Sequence, residues 1–307
     1  MKTAKHLFES EIAAFIGAAI CCIFWGSGFP CIKLSYVYFN IDANDTAAII
    51  LFIGIRFTLV GLVIMLFRLF VQRGNLLPKR KSWPKIILLQ FFQPTFAHIF
   101  FYIALAHATG VKSSLISGLT MLFTVLMSCY MFRLENMTAK KILGCMLCLA
   151  GVLCYNLGDL SFSFHFMGEG MLILYALTSA IGSNLIKIGA TGEDSVVLSS
   201  WQYLIGGVLT MVVGWLMGGR VIQINLPAVL MMVYLVVAAA VAFTMWAEVL
   251  KYHDVSKISI YRVMEPITGV VVSILALQES VVVWKTCIAL LLVCMGIFTV
   301  NYKGRKC

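Results

Sequence analysis

The sequence predicts an all-α membrane protein of ten transmembrane helices, arranged as two inverted five-helix repeats. Three observations predict it. Hydrophobic residues make up 61% of the 307 and charged residues 12%, with a mean hydropathy of +0.97. That is too little charge to coat a water-facing surface. The apolar residues gather in ten stretches, each near the ~20 residues a helix needs to cross ~30 Å of hydrocarbon. Segments of the second half echo segments of the first after five spans. Five is an odd number of crossings, so the second half enters the bilayer upside down.

The first span, 12–38, is too long for the core of a signal peptide, and no small-x-small cleavage site follows it. In "AICC" (19–22), Ile20 fills the position where a lipoprotein cleavage box needs a small residue, so an uncleaved helix is expected. The second span, 46–67, begins after the polar "DAND", and the third, 84–106, after "RGNLLPKRK". The fourth and fifth are 111–131 and 139–157. "NLGDLSFSF" then separates the halves, 1–158 and 159–307. The remaining spans are 167–188, 195–217 (closed by "MGGR"), 227–250, 257–277 and 284–302. The loops are short and polar, and no soluble domain fits between spans.

Of the ten cysteines, Cys21, Cys22, Cys145, Cys148, Cys154, Cys287 and Cys294 lie inside spans and do not form a loop-stapling framework. The C-x-x-C of Cys145 and Cys148 reads as two small residues on one helix face. No His, Asp or Glu nearby suggests a metal. Neither a metal nor a cofactor is expected.

The net charge of +10 suits orientation better than nucleic-acid binding. With both termini on one side, the opposite side holds Lys112, Arg220 and Lys285, while Lys33, Arg56 and Arg262 fall within spans. The rest of the 23 Lys and Arg residues sit on the terminal side, including Lys2, Lys5, Lys187, Lys251, Lys257, Lys303, Arg305 and Lys306. Cytoplasmic termini follow, in a multi-pass protein of a cell inner membrane or plasma membrane.

The repeat shows in "FYIALAHATGVKSSLISGLTMLFTVLMSCYMFRLE" (101–135) against "MWAEVLKYHDVSKISIYRVMEPITGVVVSILALQE" (245–279). Val111/Val255, Ile116/Ile260, Thr124/Thr268 and Glu135/Glu279 coincide. "RFTLVGLVI" (56–64) echoes "QYLIGGVLT" (202–210), "GVLCYN" (151–156) echoes "GIFTVNY", and "GSGFPCIK" (26–33) faces "AIGSNLIK" (180–187).

These features resemble the EamA-type branch of the drug/metabolite transporter superfamily. The resemblance rests on "FWGSGFPCIKL" in the first span, the Arg56–Phe57 pair, "LKYHDVSKISIYRVMEP" and "YRVMEPITGVVVSILALQE" (261–279). It implies ten helices in two inverted repeats, a central cavity, and alternating access for small metabolites. One departure is that Leu122 stands where the second repeat has Pro266.

Midplane residues are the site candidates. Gly26, Gly28 and Pro30 weaken the first helix, either opening it as a gate or letting another helix pack closely. Pro94 and Pro266 are further candidate breaks. Lys33 either snorkels to headgroups or stands at a cavity mouth. Arg56 lies at the midplane, where an Arg costs roughly 2.5–3.5 kcal/mol on insertion scales. It either binds an anionic solute group or bonds backbone carbonyls. Gln90, Pro94, His98 and Tyr102 form a stripe at i+4 spacing, with His98 a packed residue or a carrier of a coupling proton. Arg262 and Glu265 either neutralise one another at i, i+3, or leave Glu265 as a protonatable group. Glu135 and Glu279 are read as structural. Trp25, Tyr175, Trp201, Tyr203, Trp246 and Tyr261 are the aromatics placed at cavity depth, where most such residues pack or form interfacial belts and a few stack on a planar or cationic solute.

The expected function is secondary transport of small polar metabolites, foremost amino acids or related compounds, by export or exchange. The partners are the solute and the lipid bilayer, with proton coupling through His98 or Glu265, and a monomer or homodimer. An alternative cargo is a lipid-linked or nucleotide-linked sugar or a polar lipid. An enzyme is not expected: neither H-E-x-x-H nor G-x-S-x-G occurs.

Overall fold

The computed structural model describes residues 10–156, 164–189, 194–220, 223–252 and 259–301, and among them every regular element is helical. The helices are α1 (Glu11–Tyr38), α2 (Thr46–Val71), α3 (Arg80–His107), α4 (Gly110–Met131) and α5 (Ala139–Asn156). After these come α6 (Phe166–Gly170 continuing as Met171–Gly189), α7 (Ser195–Leu216) and α8 (Leu226–Tyr252). The last two are α9 (Ser259–Val263 continuing as Met264–Leu277) and α10 (Val283–Asn301). Eight are long and apolar enough to cross a bilayer. The other two are α5, which carries Lys140 and Lys141 in its first turn, and α9, whose α-helical part has 14 residues. Lys2, Lys5, Lys257, Lys303, Arg305 and Lys306, and the side chains of Lys187 and Lys251, lie outside the described residues.

Polar side chains start the helices. Each accepts a hydrogen bond from a backbone N–H that the first turn leaves without a partner. Ser10 accepts from Ala13, Asp45 from Ala48, Thr109 from Lys112, Asp194 from Val196 and Asn225 from Ala228.

The breaks are not where the first helix suggests. α1 runs unbroken for 28 residues with Pro30 inside it. Its Gly26 is pressed onto α9, where an added Cβ would stand 2.6 Å from the Glu265 carbonyl and 2.7 Å from Thr268. The helix is uninterrupted despite the missing N–H. Short π segments end α2 and α4 and open α6. Within a span, α3 is irregular, with a longer π-helix over Phe91–Ala97 around Pro94. Its five-residue spacing is visible in Thr95 donating to Gln90 Oε1 (2.9 Å) and in the His98 ring on the Gln93 carbonyl (2.7 Å). Pro266 lies in the first turn of the α-helix that follows the 3-10 opening of α9.

Helix packing repeats itself under a shift of five helices. α2 packs on α7 and α5 on α10, each the counterpart of its partner. α1 packs on α8 and α9, and correspondingly α6 on α3 and α4. Single contacts obey the same exchange. Gly61 lies against Leu204, and Gly207 against Thr58. Gly151 lies against Ala289 and Val293, and Gly296 against Gly144 and Cys148. Small residues let these backbones touch, as helices in lipid require.

The faces are tied by polar contacts. On the far face, where α1 ends, Lys33 Nζ donates to the Leu105 (3.2 Å) and Ala108 carbonyls at the end of α3. Glu279 accepts from the Gly110 (2.6 Å) and Val111 (3.0 Å) N–H groups, capping α4 from the other half. Lys112 pairs with Glu169, and Asn225 donates to the Tyr38 carbonyl. On the face holding the termini, Arg68 pairs with Asp194 (2.9 Å), and the Trp201 indole donates to Leu76 (2.7 Å). Lys33 thus reaches across from α1 to the carbonyls at the end of α3. It neutralises the negative end of α3.

Candidate functional site

Gly26 places the centre. By bringing the backbones of α1 and α9 together it sets the Trp25 ring 5.7 Å from the Arg262 guanidinium, within cation–π range. Arg262 in turn reaches Glu265 Oε2 at 3.2 Å. Glu265, Arg262, Pro266, Tyr175 and Thr120 line a cavity of about 30 Å³ between α4, α6, α9 and α10. That is room for ordered water.

Arg56 lies on the other side of the same packed core. It is 7% exposed, and its Nη2 donates to the Leu235 carbonyl of α8 at 3.1 Å. Its guanidinium stands 5.3 Å from the Phe57 ring and 5.7 Å from the Tyr102 ring. No acidic side chain pairs with it among the described residues. A line of rings connects Arg56 to Trp25. His98 meets Phe57 edge-on at 4.3 Å, Phe57 stacks on Tyr203 at 5.4 Å, Tyr203 on Phe243 at 4.6 Å, and Phe243 reaches Trp25 at 5.9 Å. Tyr175 joins from α6 by stacking near Phe101 at 4.8 Å.

Among the described residues nine buried side-chain polar atoms lack a hydrogen-bond partner, and five of them lie on this frame: Trp25 Nε1, Arg56 Nε, Tyr102 Oη, Tyr203 Oη and Thr120 Oγ1. Each such group costs ~1–3 kcal/mol when left without a hydrogen bond. They belong to α1, α2, α3, α7 and α4, so both halves supply them. Proteins keep such groups where function requires them.

The structure thus brings together Trp25, Arg56, His98, Tyr102, Tyr175 and Glu265. It separates two others. Trp201 faces the α2–α3 connection, with its ring 5.1 Å from Trp83. Tyr261 packs edge-on against Phe15 at 5.1 Å, beside Ala14, Ala18 and Val249. Neither lines the cavity. Tyr203, also placed at cavity depth by the sequence, lies in the ring line, and Trp246 stands 5.1 Å from Trp25. Phe243 is the ring that the sequence reading missed, and Arg262 joins through its contact with Trp25. His98 is satisfied at Nδ1 by its own helix.

Comparison with known proteins decides the family. The profile of the EamA-like transporter family matches residues 12–157 and again 166–302. The chain belongs to the EamA-like transporter family. It is similar to the uncharacterized transporter YvbV of Bacillus subtilis (strain 168), 23% identical over 305 residues, covering 98% of this chain and 95% of that protein. It is also similar to the uncharacterized transporter YyaM of the same organism, 25% identical over 297 residues, covering 91% and 90%. One solved crystal structure has the same fold, with a TM-score of 0.67 at 18% identity over 94% of this chain and 96% of that one. The EamA member described here is therefore a multi-pass membrane protein of a transporter family, with its two family matches falling on α1–α5 and α6–α10.

Proposed function

We propose that this EamA protein carries small polar solutes bearing a carboxylate, amino acids or related compounds, by alternating access between its two halves. One observation carries the reading: Arg56 is a buried cation with no acidic partner among the described residues, set among aromatic faces and unpartnered donors. A carboxylate accepts charge-assisted bonds from such a group. Rocking of the two halves would expose the ring-lined frame to one face and then to the other. Glu265 is the group that carries a coupling proton, because it lines the cavity beside Arg262 while His98 is engaged by its own backbone. The excess of Lys and Arg on the terminal side supports cytoplasmic termini in a cell membrane, with export or exchange as the direction.

The test is flux into proteoliposomes across an amino-acid panel, with and without a pH gradient. Arg56→Gln should abolish carriage of carboxylate solutes. Glu265→Gln should remove the response to the gradient. Normal flux in both variants at equal protein level refutes the assignment.

A further inference from the structure

Two glycines sit two residues apart on α1 and meet opposite surroundings. Gly26 is jammed against α9. Gly28 is also buried, yet a Cβ built on it meets no atom within 4 Å. A buried glycine facing open space is unusual in a densely packed interior. Most other glycines of the helix seams would drive a Cβ into a neighbouring helix.

The position of that space is set by helix geometry. Trp25 and Cys31 lie three residues before and after Gly28, one turn away on the same side of α1. Trp25 carries an unpartnered indole N–H. From Trp25 the line of rings through Phe243, Tyr203 and Phe57 leads to Arg56, whose Nε also lacks a partner among the described residues. The room beside Gly28 thus lies on the Trp25 side of α1, the side from which the rings run to Arg56.

We infer that Gly28 is the floor of the solute seat and sets how large a solute fits between Trp25 and Arg56. This rests on the transport reading above and adds a size-selecting residue to it. The absence of a side chain at 28 leaves the solute's body against the α1 backbone. The two donors engage its acceptor groups.

A size series tests it. Gly28→Ala and Gly28→Leu are compared with wild type for flux of glycine, leucine and tryptophan in proteoliposomes. Purified-protein melting temperature and folded yield are measured alongside. Gly28→Ala is expected to fold as well as wild type, since its methyl meets nothing and alanine suits a helix better than glycine. The apparent KM should rise with solute size, at least threefold for the largest carried solute in the alanine variant and more in the leucine variant. The smallest carried solute should be affected least. Unchanged relative KM values across the series in a well-folded Gly28→Ala overturn the inference. So does an equal loss for all sizes. If the wild type carries none of the three solutes, the proposed function fails first, and the panel separates that outcome from this one. Gly26→Ala is the control: its Cβ would collide with α9, so it should lower folded yield with no size dependence.

Discussion

Arg56 shows how much a single residue's chemistry decides. Its guanidinium lies over the Phe57 and Tyr102 rings and donates to one carbonyl of α8. A lysine keeps the charge but loses the planar fork and the stacking. Arg56→Lys should therefore retain transport with an apparent affinity weakened about tenfold, the equivalent of losing ~1.4 kcal/mol. Flux kinetics against a carboxylate solute check this, and an unchanged KM would remove Arg56 from the seat. The sequence made Arg56, Trp25 and Glu265 legible because a charge or an indole at midplane depth has few other reasons to be there. Trp201 and Tyr261 lie away from the other candidates for a geometric reason. Counting residues from a helix end gives depth, but the side a residue faces changes by about 100° per position. Trp201 and Tyr203 are two residues apart and face opposite ways. The first bonds a loop carbonyl and the second stacks between Phe57 and Phe243. The same rotation sends Tyr261 to Phe15 and Arg262 to Trp25.

Helices carry the next level of specification. The ten spans were readable from hydropathy, and their ends from polar caps. The π-helix in α3 was not, because the i+4 stripe of Gln90, Pro94, His98 and Tyr102 looks like an ordinary α-helical face. Proline removes an N–H and crowds the carbonyl four residues back, and the wider turn relieves both. Pro94→Ala restores the donor. It should let this segment relax to an α-helix, turning the His98–His107 segment relative to the Trp83–Gln90 segment and breaking the His98–Gln93 contact. The protein should remain folded while flux falls several-fold. Wild-type flux in this variant would mean that the π-helix does not position the site. Glu279 acts at a helix end. Its carboxylate takes both the Gly110 and Val111 N–H groups at the positive end of α4, across the two halves. Glu279→Gln loses the charge and one acceptor, and should lower stability by about 1 kcal/mol, read as a lower melting temperature in detergent.

Across the whole molecule, the five-helix exchange turns local contacts into paired ones. The echo of "GVLCYN" in "GIFTVNY" is the sequence trace of one such pair. Gly151 meets Ala289 and Val293, and Gly296 meets Gly144 and Cys148. The degenerate echoes were detectable because the seams place glycines at matching positions of the two halves, where a Cβ would meet the facing backbone. Gly151→Leu and Gly296→Leu each place a branched side chain into a backbone contact of the α5–α10 seam. Overpacking of this kind costs ~1–3 kcal/mol, and the exchange requires the two costs to match. The two contacts adjoin: Cys148 lies three residues from Gly151, Val293 lies three from Gly296, and Cys148 Sγ donates to the Val293 carbonyl at 3.6 Å. Sites that share neighbours in this way couple by ~0.5–3 kcal/mol. If the seam parts as one surface, the first leucine opens it and the second costs little, whereas an additive double means that the contacts close separately. Thermal unfolding of both single variants and the double variant distinguishes these cases. Matched single effects with an additive double support two equivalent, separately closed contacts. Unequal single effects would mean that the halves, though related in fold, bear the closure of this seam unequally.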